Sequence, residues 1–251
     1  MNRLPPVFLA RPIAHRGYHD KSAGRIENSP STFSAAIQAG YGIELDLQLS
    51  RDGMAMVFHD DLLNRLTEET GPVRERDAAA LQSIVLRGGR DTIPTLGQVL
   101  AQVNGAVPLL IELKDQHGEM GETDGRLEQA TVDALAQYDG PVALMSFNPN
   151  MIARVGTLAP DLPRGLISSA WRRIDEPHVP VDTRARLAGI PDFESVGAQF
   201  LSHDVTNLES PRVEQLKSRG VPILCWTVRS PEQEHQARKI ADNITFESYA
   251  A

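Results

Sequence analysis

The sequence predicts an α/β fold closed into a (β/α)8 TIM barrel, with a short insertion after the second strand region. Strand-like and helix-like stretches alternate about eight times along the chain. No Gly-x-Gly-x-x-Gly turn follows the first strand, which disfavours an open dinucleotide-binding sheet. The length of 251 residues suits a single barrel. Residues 1–251 are therefore expected to form one barrel domain.

Pro12-Ile13-Ala14-His15 reads as a short first strand. After a polar loop, Ser29-Pro30 supplies a helix cap and a first-turn proline, and the helix stops at Gly40. Ile43 to Leu49 then alternates apolar and polar residues with period two. This is the mark of a strand with unlike faces, and it sets Glu44, Asp46 and Gln48 on one side. Arg51-Asp52-Gly53 is a turn signal, and Met54 to Phe58 a further strand ending at His59-Asp60.

From Asp61 to Ile93 the pattern weakens, with one short helix at 77–85, and the segment shows no core-forming apolar set. Beyond it, helices are expected at 94–103, 124–138, 149–158, 211–218 and 231–240. Strands are expected at 109–114, 142–147, 164–168, 196–201, 222–228 and 243–246, and residues 169–193 read as an irregular excursion. In the strand Leu109 to Lys114, Glu112 and Lys114 share one face.

A formal net charge of −8 argues against non-specific nucleic-acid binding and gives no reason to expect attachment to anionic membranes. The apolar run Val7 to Ala10 is too short for a leader core or a membrane span, and no stable membrane insertion is expected. One cysteine, Cys225, excludes an intramolecular disulfide. Its neighbours Ile223, Leu224 and Trp226 make it a buried strand thiol rather than a nucleophile. A cytoplasmic location is expected.

Barrel active sites lie at the C-terminal ends of the strands. There the sequence sets His15-Arg16, Glu44, Asp46, His59, Glu112 and Lys114. Three carboxylates about 4 Å apart would repel by roughly 4 kcal/mol per pair at an effective dielectric near 20. A divalent cation removes that penalty, and oxygen-only ligands select Mg²⁺ or Ca²⁺ over zinc. Separate salt bridges would explain any one acid alone; three acids on two inward faces favour the metal. Two histidines titrating near neutral pH supply a general acid–base pair. Cations beside a hard metal ion point to an anionic substrate, most naturally a phosphate ester.

At these residues the sequence resembles the glycerophosphodiester phosphodiesterase family. The matching stretches are Ile13 to Gly17, Glu27-Asn28-Ser29 with Phe33, Gly42 to Leu49, Asp52-Gly53, Phe58-His59-Asp60 and Arg65-Leu66-Thr67. Ile111 to Lys114, Ser146-Phe147 and Trp226-Thr227-Val228 complete the set. The resemblance implies that His15 and His59 are the catalytic acid–base pair. It implies that Glu44, Asp46 and Glu112 hold a divalent cation, Mg²⁺ or Ca²⁺, with Glu27 close by. Arg16 and Lys114 would bind the phosphate, and Phe147 and Trp226 would line the glycerol or leaving-group side. The implied reaction is metal-dependent hydrolysis of a small-molecule glycerophosphodiester to sn-glycerol 3-phosphate and an alcohol.

The last strand departs from the family's Gly-x-x-Thr-Asp followed by proline. Here Asn243 to Ser248 places Glu247 where the aspartate is expected, and the resemblance does not fix the substrate preference set by this final loop. His117, Glu119 and Glu122 read as a solvated loop, and Arg172-Arg173 and Arg87 to Arg90 as surface loops rather than phosphate cradles. Rival activities are a lysophospholipase D-type reaction and a cyclising phospholipase, the latter requiring an apolar rim that the sequence does not offer. A non-catalytic phosphodiester-binding barrel is a rival of another class, weakened because every proposed catalytic position is filled.

Overall fold

Residues 42–49 show how the alternation is used. In the computed structural model, which describes residues 4–172, 174 and 177–251, all eight are buried. Ile43, Leu45, Leu47 and Leu49 pack outward in the main core with Phe33, Leu96, Val99 and Leu127, so the acidic face turns into the barrel rather than to water.

The elements, in order, are α1 (Val7–Ala10), β1 (Ile13–Ala14), α2 (Pro30–Ala39), β2 (Gly42–Leu49) and β3 (Ala55–Val57). They continue as α3 (Ala78–Leu81), α4 (Leu96–Val103), β4 (Leu109–Leu113), α5 (Arg126–Leu135), β5 (Val142–Ser146) and α6 (Pro149–Leu158). The chain then forms β6 (Arg164–Ser168), α7 (Val181–Ala188), β7 (Phe200–Asp204), α8 (Pro211–Ser218), β8 (Ile223–Val228), α9 (Pro231–Ala237) and β9 (Asn243–Phe246). The sheet order is β1-β9-β8-β7-β6-β5-β4-β2, and a β1–β2 pairing closes it into an eight-stranded parallel barrel. β3 adds to β2 antiparallel.

Local chemistry explains the helix limits. Gly40 ends α2 at φ 72°, a conformation glycine adopts without strain. In α4, Thr95 Oγ1 accepts from Gln98 N at 3.2 Å while Gln98 Oε1 accepts from Thr95 N at 2.9 Å, a reciprocal cap. No helix among the described residues is long and apolar enough to cross a membrane.

The lower barrel is apolar. Ile13, Leu110, Ala143, Phe200 and Leu224 fill it, and Phe8 of α1 packs beneath them. Asn243 Nδ2 donates to the carbonyls of Phe8 and Arg11, each at 2.7 Å, which ties α1 to β9. Gly165 of β6 makes room for the Phe200 ring, because a Cβ there would stand 2.6 Å from it.

Three expectations need correction. Residues 61–93 do carry an apolar set: Leu63, Leu66, Val73, Ala78, Leu81, Leu86 and Ile93 form a second core with Ile26, Met56 and Phe58. The set lacks helical or strand period because it is built from turns and short helices, and it is fused to β3. The strand expected at 196–201 lies at Phe200–Asp204; Gly197, at φ 65°, still belongs to the preceding turn. The excursion 169–193 contains α7, and Arg173 lies outside the described residues.

Candidate active site

Register builds the acidic centre. β2 and β4 pair in parallel with Asp46 beside Glu112, so two inward carboxylates share one layer at the upper rim. Glu44 sits one inward position lower on β2. The three residues offer oxygens that all lie within 4.8 Å of one another, and each residue is buried. Lys114, just past β4, places Nζ 2.8 Å from Asp46 Oδ1 and 2.7 Å from Glu112 Oε1. An ammonium thus already bridges two of the acids, and oxygen donors of this charge can hold a divalent cation.

The acids do not ionise alike. Burial, then the nearby charges of Asp46 and Glu112, push Glu44 well above the usual carboxylate range. Burial also raises Glu112, against the pull of Lys114. For Asp46 burial is overcome by Lys114, His59 and Arg16, which hold its carboxyl well below that range. Asn28 completes the Asp46 surroundings: its Nδ2 donates to Asp46 Oδ2 at 2.8 Å and its Oδ1 accepts from Asp46 N at 3.2 Å. Asn28 stands at φ 57°, where asparagine is tolerated better than most residues.

β1 delivers His15 and Arg16. His15 N donates to Phe246 O at 2.9 Å, and Arg16 N to the Glu44 carboxylate oxygen Oε2 at 2.9 Å, so one backbone and one side-chain acceptor fix the turn. Gly17 follows at φ 77°, and a Cβ there would meet Thr32 Oγ1 at 2.3 Å; only glycine fits. His15 Nδ1 pairs with Glu247 Oε2 at 2.6 Å, and its Nε2 faces Glu44 Oε2 at 4.0 Å. Burial pushes the His15 imidazolium down to about 4, only partly offset by the Glu247 bond. His15 is therefore neutral at pH 7, and with Nδ1–H donated to Glu247 its Nε2 carries the lone pair. Glu247 is held well below the usual range, against its own burial, by bonds from His15 and His19 and by Arg229.

His59 lies just beyond β3, and its Nδ1 pairs with Asp60 Oδ1 at 2.6 Å. Arg65, from the insertion, donates to both Asp60 oxygens at 2.6 and 2.8 Å and to both Glu27 oxygens at 2.9 and 2.7 Å. Glu27 in turn accepts from Arg16 Nη1 at 2.7 Å. Glu27 is thus placed between two guanidinium groups rather than among the three converging acids. Those arginines overcome its burial and lower its carboxyl to about 2. Arg16 Nε is buried without a hydrogen-bond partner, 3.5 Å from Asp46 Oδ2.

His15, Arg16, Glu44, His59, Glu112, Lys114, Phe147 and Trp226 line one cleft of about 140 Å³. Five of them also border a wider groove of about 780 Å³, which reaches Asp61, Arg74, His117, Glu119 and Met120. Phe147 stands edge-on to Trp226 and to Trp171, with ring centroids 5.4 and 5.6 Å apart. His117 and Glu119 therefore border the groove, whereas Arg87 bonds Glu68 and the Thr67 carbonyl, away from it. Cys225 is fully buried.

Sequence reasoning gave no role to Asn28, Asp60, Arg65 or Trp171. Asp60 was the most accessible of these, as a carboxylate next to a candidate histidine. Arg65 stands in a stretch that carries the resemblance and lies five residues from Asp60, but its bond to Glu27 spans 38 residues and has no local signal.

The glycerophosphoryl diester phosphodiesterase family model matches residues 15–242. A glycerophosphodiester phosphodiesterase of Caldanaerobacter subterraneus is 28% identical over 243 residues, covering 92% of this chain and 91% of the relative. The structure of an Oleispira antarctica phosphodiesterase, in complex with the product sn-glycerol-3-phosphate, superposes with a TM-score of 0.78 at 25% identity, over 97% of this chain and 94% of that one. A glycerophosphodiester phosphodiesterase from Parabacteroides distasonis shares the fold at 23% identity, with a TM-score of 0.73 and 94% of both chains covered. The match spans both acidic strands and the cleft residues from His15 to Trp226 named above, and the chain belongs to the glycerophosphoryl diester phosphodiesterase family, a family of phosphoric diester hydrolases.

Proposed function

We propose that this protein hydrolyses glycerophosphodiesters to sn-glycerol 3-phosphate and an alcohol, with His15 as base, His59 as acid and a divalent cation at Glu44, Asp46 and Glu112. The observation that carries the reading is the meeting of two carboxylate-bonded imidazoles, Glu44, Glu112 and two cationic side chains in one cleft, with Asp46 converging on the same two acids. One barrel domain, with the 61–93 insertion lending Arg65, carries all of it.

His15, neutral and hydrogen-bonded through Nδ1, takes a proton at Nε2 from the attacking oxygen. That oxygen is a water, which yields glycerol 3-phosphate directly, or the substrate's own glycerol 2-hydroxyl, which yields a cyclic phosphate that a water then opens with the two histidines in exchanged roles. His59, held through Nδ1 by Asp60, gives its proton to the departing alcohol. Arg16 Nε and Lys114 Nζ bind phosphoryl oxygens and offset the charge that develops there. When bound, Mg²⁺ or Ca²⁺ supplies further neutralisation of phosphoryl charge. Glu27, gripped by Arg65, holds the Arg16 guanidinium in place. Phe147 and Trp226 offer an apolar wall to the carbon part of the substrate.

The test is release of glycerol 3-phosphate from a panel of glycerophosphodiesters, first with chelator and then with Mg²⁺ or Ca²⁺ restored. Cation-dependent release is the expected result. Cleavage of lysolipids alone would transfer the site to a lipid-directed reaction, and silence on both would leave a binding protein.

A further inference from the structure

A second group of ligating atoms lies on the far edge of the His15 ring. His15, His19 and Glu247 each offer one, and all lie within 4.8 Å of one another. His15 Nδ1 and His19 Nε2 approach the same oxygen, Glu247 Oε2, at 2.6 and 3.5 Å. The other oxygen, Oε1, accepts from Arg229 Nε at 2.8 Å, which fixes the plane of the carboxylate. His19 borders an open cavity of about 650 Å³ beside Ser248 and Tyr249, whereas His15 lines the substrate cleft, so the group lies between the two.

Two imidazole nitrogens and one carboxylate oxygen make a donor set unlike the three acids. It suits zinc, which takes nitrogen and oxygen at about 2.0–2.1 Å in a tetrahedron, and it is poor for Mg²⁺ or Ca²⁺. Those bond lengths place neighbouring ligand atoms about 3.3 Å apart. The His19–Glu247 separation already fits, and the His15–Glu247 hydrogen bond needs to open by about 0.7 Å.

We propose that His15, His19 and Glu247 form an inhibitory Zn²⁺ site, with water in the fourth position. The inhibition follows from proton placement on one ring. Coordination at His15 Nδ1 needs a lone pair there, so the proton now donated to Glu247 leaves that nitrogen. The neutral ring then carries its proton on Nε2, and the lone pair on the Glu44 side is gone. His15 can ligate zinc or accept the substrate's proton, and not both. The inhibitory half of the proposal rests on the catalytic reading of His15; the binding half does not.

Co²⁺ serves as the probe, because a four-coordinate Co²⁺ site absorbs visibly. It is titrated into Mg²⁺-saturated enzyme and into His19→Ala and His19→Gln variants. The wild-type chain is expected to show the four-coordinate spectrum, and one equivalent of Zn²⁺ to abolish it; both variants are expected to lack it. In turnover assays at saturating Mg²⁺, both variants are expected to keep basal activity and to need at least tenfold more Zn²⁺ for half-inhibition. An unchanged spectrum in the variants, or unchanged zinc sensitivity, overturns the site. Zinc bound with no loss of turnover overturns the inhibitory role. Should no diester be cleaved at all, the spectrum still decides whether the site exists.

Discussion

The rim of the barrel is divided into two unlike arcs. From β1 through β4, charges interlock: Arg16 and Lys114 against Asp46, Glu112 and Glu27, with Arg65 behind them. From β5 through β8 the inner wall is Phe147, Trp171 and Trp226, in edge-to-face contact. Both arcs stand on parallel strands of the same barrel, so backbone architecture does not separate them; side-chain choice at a few rim positions does. The aromatic arc also acts on the charged one, because an apolar wall lowers the local dielectric and strengthens every ion pair facing it. The arcs differ again in their buried histidines. Burial pushes both His15 and His203 down to about 4. His15 pairs with a carboxylate and faces the cleft, whereas His203 Nδ1 pairs with the Ser168 hydroxyl at 2.7 Å on the outer side of the sheet.

The largest effect belongs to the charged arc. Replacing His15 and His59 together by alanine is expected to lower kcat by about 10³-fold or more, since each proton transfer contributes 10²–10⁴-fold. Near-normal turnover in that variant would falsify the assignment of the pair. In the aromatic arc the expected loss is smaller and of another kind. Trp226→Ala should raise KM by about tenfold with a lesser change in kcat, the mark of lost binding shared by ground and transition states. Steady-state kinetics on one diester separates the two; a kcat loss as large as that of the histidine pair would erase the distinction between arcs.

A third effect, on stability and not on turnover, tests the outer histidine. An unfolded histidine takes up a proton below about pH 6.5, while His203 in the folded chain does so only near 4. Between these values the unfolded state binds more protons, so stability falls as the pH is lowered through that window, by up to about 3 kcal/mol. Denaturant unfolding at pH 7, 6, 5 and 4 should show a shallower decline for His203→Asn than for the native chain, whatever its stability at pH 7. Parallel declines would mean that His203 charges without resistance.

What could be read from the sequence divides along similar lines. β2 was legible because seven consecutive residues, Ile43 to Leu49, obey period two, and its outward apolar side meets the core as that pattern requires. The upper half of β7 was not. Ser202, His203 and Asp204 continue the strand with polar residues, while the more apolar Val196-Gly197-Ala198 before it forms a turn. In the site, residues on strands could be placed by alternation alone. The clamp of Arg65 on Glu27 and Asp60 could not, because it depends on how a turn-rich segment folds back over β3. Glu247 was visible as a replacement, yet its bond to His15 spans 232 residues and needs the barrel closed.

The Phe200 ring over Gly165 has a consequence in electrical terms. It is an insulating plug: a fully buried aromatic volume among the apolar side chains that fill the lower barrel. Were Gly165 larger, the ring would be displaced; were Phe200 smaller, a cavity would open under Glu44 and Glu112. In either case the charges above would be shunted through a wetter medium, and the voltage they impose on the cleft would drop. A hydrogen atom in place of a side chain on β6 thus helps to keep the field of the rim confined to the space where a phosphate would enter.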